Sequence, residues 1–240
     1  MSSRTAIDSE PVFLLHQRPY QNSSQLLEVL SLHYGRVGLI AQGSRRPGRG
    51  MRALLQPFIP LRLSWIRRGE LGRITNVEAG SSAIELPGAA LLAGYYANEL
   101  VISLTSRDDP AAELFAHYTT CLNALASDAN VARNLRLFEH RLLGALGFGL
   151  QLDIDCASGA PLFADREYAF SLDEGARPSS GQPGYRGADL ISLREERLED
   201  AGSLRAARQL LGEAIARQLG ARRLKTRDVL REIDARGLIV

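Results

Sequence analysis

Residues 61–77 read Leu61-Arg62-Leu63-Ser64-Trp65-Ile66-Arg67-Arg68-Gly69-Glu70-Leu71-Gly72-Arg73-Ile74-Thr75-Asn76-Val77. Leu61, Leu63 and Trp65 alternate with Arg62 and Ser64, the period-two pattern of a half-buried strand. Arg68-Gly69-Glu70 turns the chain and Gly72 to Val77 returns it, so the stretch predicts a hairpin. Working back, three more apolar runs precede it. Val12 to Arg18 ends at Pro19, Leu26 to Ser31 follows the polar loop Tyr20 to Gln25, and Arg36 to Ala41 follows the turn His33-Tyr34-Gly35. Pro57 and Pro60 flank the fourth strand, where proline removes no ladder hydrogen bond. Five short strands within residues 1–80 predict a small barrel.

Working forward, the period changes from two to helical at Pro87. Residues 87–104 carry Leu91, Leu92, Tyr95, Leu100 and Ile102 at helical spacing. Asp109-Pro110 predicts a second helix start, with Asp109 as cap and the proline in the first turn. Val131 to Leu146 predicts a third helix closed by Gly147. Residues 151–202 are rich in Gly, Pro, Ser and acids. Pieces around Leu162 and from Tyr168 to Leu172 suggest a hairpin, and Gly175 to Gly187 reads as a loop. Helical pattern returns from Leu204 to Leu219, ended by Gly220, and a last helix is expected over Thr226 to Arg236. The expected organisation is a barrel domain over 1–80, a helical domain over 81–150 and 203–240, and a loop-rich insertion over 151–202.

The 240 residues are 45% hydrophobic and 23% charged, an ordinary globular balance. No run approaches the roughly 18 apolar residues of a membrane span. The first residues lack the apolar stretch of a signal peptide, and with only Cys121 and Cys156 no disulfide framework is argued, so a cytoplasmic location is expected. Charge is uneven. Residues 1–80 hold eleven arginines against five acids, residues 81–202 nine against eighteen, and residues 203–240 nine bases against four acids. A basic head and tail around an acidic middle suggest a polyanion-binding surface.

Gly43-Ser44-Arg45-Arg46-Pro47-Gly48-Arg49-Gly50 approaches the phosphate-binding pattern GxxxxGK[ST], but Arg49 and Gly50 replace the lysine and the hydroxyl that the chemistry needs. No helix clearly follows it. An Arg/Gly loop whose guanidiniums Arg45, Arg46 and Arg49 follow a nucleic-acid backbone fits better. Trp65 shares the parity of Leu61 and Leu63 and is expected in the core, leaving Arg62 as the outward contact. Cys121 falls on the apolar stripe of the second helix. Asp153-Ile154-Asp155-Cys156 does not complete a zinc site, and CxxC, HExxH and GxSxG are absent. His16, His33, His117 and His140 stand at no catalytic spacing. No catalytic residue, metal or cofactor is expected. Arg133, Arg136, His140 and Arg141 make a basic surface on the third helix, either a solvated face or an anchor for an acidic peptide.

The chain resembles the RecO family of bacterial recombination-repair mediators. The resemblance is carried in order by Val12-Phe13-Leu14-Leu15-His16 with Arg18-Pro19-Tyr20, Gly35-Arg36-Val37 with Ala41-Gln42-Gly43-Ser44-Arg45, and Leu55-Gln56-Pro57-Phe58. It continues through Tyr95 to Leu100, Leu135-Arg136-Leu137-Phe138-Glu139 with Leu146-Gly147-Phe148, and Leu224-Lys225-Thr226-Arg227. It implies an α+β chain: an N-terminal OB-fold barrel, then an α-helical domain with a small C-terminal extension. It also implies binding of single- and double-stranded DNA, annealing of complementary strands, binding of the acidic tail of single-stranded-DNA-binding protein, and cooperation with RecR in loading RecA. On this resemblance Arg36 and Arg45 are DNA contacts and Arg136 serves the tail, with Arg133 and Arg141 beside it. The non-enzymatic alternative is an OB-type module for RNA or protein that does not anneal. Many members hold zinc with cysteine pairs. Here Gly159 stands where the partner of Cys156 would fall, so no zinc is expected.

Overall fold

The computed structural model describes residues 5–45, 51–128, 130–181 and 184–226. Two compact units emerge, one of the described residues up to 128 with 224–226, the other within 130–223. The period change near residue 87 marks where strands give way to helices. The packing boundary falls later, because the first two long helices pack on the barrel.

In the first unit all five expected strands form: β1 (Thr5–Tyr20), β2 (Ser24–Ser31), β3 (Gly35–Ala41), β4 (Pro60–Arg67) and β5 (Gly72–Ala79). They close a barrel in the order β1-β2-β3-β5-β4. Every pair is antiparallel except β3 with β5, where Leu39 opposes Gly72. Closure depends on β1 serving two neighbours. Residues from Thr5 to Phe13 pair with β4, and residues from Val12 to Tyr20 pair with β2. Register breaks between Ile7 and Glu10 and between Leu14 and His16 bend the strand, as bulges do.

Alternation sorts the side chains. Val12, Leu14, Leu27, Val29, Val37, Leu39, Leu61, Leu63 and Trp65 fill the barrel. Trp65 is 1% exposed, as its parity predicts. Gly72 is required beside it, since a Cβ there would lie 2.7 Å from both the indole and Leu39. Burying this set is the main driving force for closing the barrel, at roughly 2 kcal/mol per large side chain.

A four-residue helix, α1 (Met51–Leu54), follows the Gly-rich loop, where no helix was expected. Beyond β5, α2 (Ala89–Leu104) and α3 (Ala112–Ser127) cover the outside of β1. Phe13 packs its ring 5.4 Å from Phe115 and 5.2 Å from Tyr118. Asn98 donates to the Leu15 carbonyl at 3.1 Å and accepts from the Tyr118 hydroxyl. Cys121 is buried on α3. The expected Asp109 cap does not form, and α3 starts at Ala112 without a side-chain cap. The aspartates serve tertiary contacts instead. Asp108 pairs with Arg67, and the Asp109 carbonyl sits against Gly35, whose φ of +64° and missing Cβ permit the approach.

In the second unit, α4 (Val131–Ala145) is capped by the Asn130 side chain. A sheet of order β7-β6-β8 follows, made of β6 (Glu167–Ser171), β7 (Gly175–Pro178) and β8 (Tyr185–Arg186). The expected hairpin partner near Leu162 makes only an isolated bridge, Ile154 to Pro161. The segment read as a loop supplies β7 and β8 instead. Arg- and Gly-containing β7 carries no alternation for sequence reading to detect. Helix α5 (Gly187–Arg194), also inside the expected insertion, packs on α6 (Ala201–Leu219). Asp200 caps α6 by accepting from Gly202 and Ser203, and these bonds hold its carboxyl below its ordinary pKa. Most of the last helix expected from Thr226 lies outside the described residues.

Candidate nucleic-acid interface

OB-type barrels commonly bind oligonucleotides on the outer face of strands 2 and 3 and on the neighbouring loops. Here the residues alternating with the core on that face are Leu26, Glu28 and Leu30 on β2 and Arg36, Gly38 and Ile40 on β3. Leu26 and Leu30 are buried. The centre is a closed charge cluster. Arg36 donates to Glu28 at 2.8 Å and to the Thr105 carbonyl at 2.8 Å. Arg107, from the α2–α3 connection, also pairs with Glu28. Its guanidinium lies over Gly38, where a Cβ would meet Arg107 Cζ at 3.0 Å. Glu28 and Arg36 are each only 14% exposed in their side chains. Arg36 thus sits on the expected face with its donors engaged by the protein itself.

The rim of the barrel differs. The β1–β2 loop and the β3–α1 loop face each other across a cleft of about 730 Å³, lined by Gln21, Asn22, Gln42, Met51, Ile74 and Thr75 among others. The Arg45 backbone N–H donates to the Ser23 carbonyl at 3.1 Å, joining the two loops. Ser44 is fully buried, and its hydroxyl shares its one proton between the Ala41 carbonyl at 3.0 Å and the Gln25 amide oxygen at 2.9 Å. The loop is therefore anchored as far as Arg45, whose residue is exposed. Arg46 and Arg49 lie outside the described residues. Arg52 on α1 and Arg73 on β5 are exposed next to lining residues Met51 and Ile74. Sequence reading did not single them out. The parity signal was present at Arg73, which alternates with buried Ile74.

Arg62 is exposed on β4 and donates to the Ser9 carbonyl at 3.0 Å. It lines a different groove of about 750 Å³, with Phe13, Ser81, Phe115 and Thr119. The structure therefore does not bring Arg62 to the Arg45 cleft.

On α4 the basic residues are not a solvated stripe. Arg133 donates to the Arg197 carbonyl at 2.7 Å and the Glu196 carbonyl at 3.1 Å. Arg136 pairs with Glu139 at 2.7 Å, the carboxylate side chain being 1% exposed. Arg141 makes a two-pronged pair with Glu196. The Nε of Arg136 and the Nδ1 of His140 are buried without a hydrogen-bond partner. Burial lowers the pKa of His140, while Glu196 opposes and Arg141 reinforces that shift.

The residues around Cys156 do not fit zinc. Its sulfur accepts from Arg177 Nε at 3.3 Å, and among the described residues there is no group of three metal-ligating side chains. Asp155 organises this segment through the Ala157 N–H and the Ser158 hydroxyl, each at 2.8 Å, which hold its carboxyl below its ordinary pKa. Among the described residues no helix is long and apolar enough to cross a membrane.

A closed five-stranded barrel in this strand order is an OB-type fold. Family models extend the comparison over nearly the whole chain: Recombination protein O N terminal matches residues 8–83, and Recombination protein O C terminal matches residues 88–228. The DNA repair protein RecO of Methylococcus capsulatus is 39% identical, covering 95% of this chain and 94% of its own. The protein of the same name from Laribacter hongkongensis is 37% identical over 98% of both chains. That from Coxiella burnetii is 38% identical, covering 96% of this chain and all of its own. The chain belongs to the RecO family.

Proposed function

We propose that this protein is a DNA-repair and recombination mediator that binds single- and double-stranded DNA through the rim of its barrel. It anneals complementary strands, binds the acidic tail of single-stranded-DNA-binding protein, and with RecR promotes loading of RecA. The observation that carries the DNA reading is the exposed set Arg45, Arg52 and Arg73 around the rim cleft, in a unit whose sheet-face arginines are already paired. Arg46 and Arg49, which follow Arg45 in the sequence, are assigned to the same contact on sequence grounds alone, Arg62 offers a separate contact on β4, and Arg36 holds the sheet face.

Backbone binding follows from charge alone. Each phosphate neutralised by an arginine releases counterions, so affinity falls steeply with salt and little with sequence. Annealing needs no bond chemistry. Lowering the repulsion between two phosphate backbones while leaving base edges accessible is sufficient, so the protein acts stoichiometrically, in the cytoplasm at the nucleoid. The tail site is assigned to Arg136 with Arg133 and Arg141. It rests on the matched segment Leu135-Arg136-Leu137-Phe138-Glu139.

The test is a salt series of fluorescence-anisotropy titrations with a labelled single strand, paired with an annealing assay on complementary strands. Salt-sensitive binding with accelerated annealing is expected. Binding without annealing would favour a plain OB-type module, and absence of binding would overturn the reading.

A further inference from the structure

We propose that the rim cleft takes one unstacked nucleobase of a single strand, held by its hydrogen-bonding edge. This rests on the nucleic-acid reading above and names what the cleft itself recognises. The cleft, at about 730 Å³, falls in the range of small-molecule pockets. Among the described residues that line it, none is charged and none is aromatic. Its walls carry the amides of Gln21, Asn22 and Gln42 and the hydroxyl of Thr75, over the apolar surface of Met51 and Ile74. An amide offers both a donor and an acceptor, which is what the mixed edge of a base requires. A phosphate would want cations, and these stand outside the lining at Arg45, Arg52 and Arg73. Among the described residues the layout separates an amide-lined base site from a basic backbone track, the usual division between contacts that specify and contacts that position.

The cleft is built rather than incidental. Its two loops are joined by the Arg45 N–H to Ser23 carbonyl bond. Behind it, Ser44 bonds Gln25, and Gln25 bonds Gln17 at 2.8 Å. Gln21 holds a left-handed backbone, φ 52°, which a non-glycine residue adopts at a cost and which is concentrated at functional sites. A base held in a duplex keeps its edge in pairing, so only an unpaired base enters. With no aromatic platform in the described lining, discrimination comes from hydrogen bonding rather than stacking.

The experiment uses the full chain and three labelled probes of equal length: a thymidine homopolymer, an abasic deoxyribose-phosphate strand, and a duplex. Anisotropy should give a Kd about tenfold tighter for the thymidine strand than for the abasic one. Asn22→Ala with Gln42→Ala should bring that ratio close to one. The salt slope should stay unchanged, because no phosphate contact is lost. Both side chains belong to exposed residues, and an unchanged melting temperature confirms folding. Equal wild-type affinity for the two single strands would overturn the base site while leaving DNA binding intact. A tenfold ratio that survives in the double variant would place base recognition elsewhere and overturn the cleft. Binding to no probe would overturn both this site and the function it rests on.

Discussion

The rim of the barrel and helix α4 are both rich in arginine, and the two regions treat it oppositely. At the rim, Arg45, Arg52 and Arg73 are exposed beside a cleft. On α4, Arg133, Arg136 and Arg141 are half-buried and bonded to carbonyls or carboxylates of their own unit. A guanidinium already bonded inside the fold must exchange those bonds to reach a ligand, so its net contribution to binding is reduced by the bonds it gives up. An exposed one forms new bonds and releases counterions. Residue type alone therefore does not mark a binding surface; the state of its donors does. The sheet-face pair Arg36 and Arg107 behaves like α4, because both guanidiniums converge on Glu28.

The largest expected effect concerns that engaged class. Glu28→Ala leaves two guanidiniums converging on a site with no carboxylate, and should destabilise the barrel by about 3 kcal/mol. Chemical denaturation would show it as a lowered midpoint with unchanged slope. A negligible change would mean that Arg36 is free to bind, and the contrast would fail. Next, Arg45→Ala with Arg73→Ala should weaken single-strand binding by about tenfold at low salt. It should also flatten the log–log salt slope by roughly 1.4, at about 0.7 per phosphate contact. Arg45→Ala with Arg46→Ala should act in the same direction. An unchanged slope would remove the rim from the DNA site.

On α4, Arg136→Ala takes the ion-pair partner from buried Glu139 and is expected to lower stability as well as tail binding. Arg136→Lys keeps the charge but loses the planar fork. It should weaken an acidic tail peptide several-fold in anisotropy and leave DNA affinity unchanged. Equal loss of both ligands would point to damage of the fold. The smallest effect is pH-dependent. Burial lowers the folded-state pKa of His140, so the unfolded chain takes up its proton first. Stability should therefore be fully present above about pH 6.5 and fall as pH drops from there through the folded-state value. By pH 5.5, one unit below the unfolded pKa, the loss should be no more than about 1.4 kcal/mol. His140→Gln should remove it, as read from melting temperatures across that range.

Much of the barrel was legible because its chemistry is local. Alternation at Leu61, Leu63 and Trp65 set the inward face of β4, and the same parity put Trp65 in the core. Turn residues at His33-Tyr34-Gly35 and Arg68-Gly69-Glu70 marked the reversals. The second unit was less legible. Strands β7 and β8 are too short to display a period, and their pairing with β6 is a long-range event. The Asp109 cap was misread because a helix-start signal cannot show that Arg67 and Gly35 draw Asp108 and Asp109 into other contacts.

By itself the sequence determined the five strands of the barrel, the long helices α2, α3, α4 and α6, the resemblance to the RecO family, and the loss of the cysteine pair at Gly159. Each depends on residue identity and near-neighbour spacing. Only the tertiary structure decided which arginines are available. Glu28, Thr105, Glu196 and the carbonyl of Arg197 come from β2, from the end of α2 and from the α5–α6 connection. Whether a guanidinium meets a ligand or a neighbour depends on how distant segments pack, and spacing along the chain does not encode that.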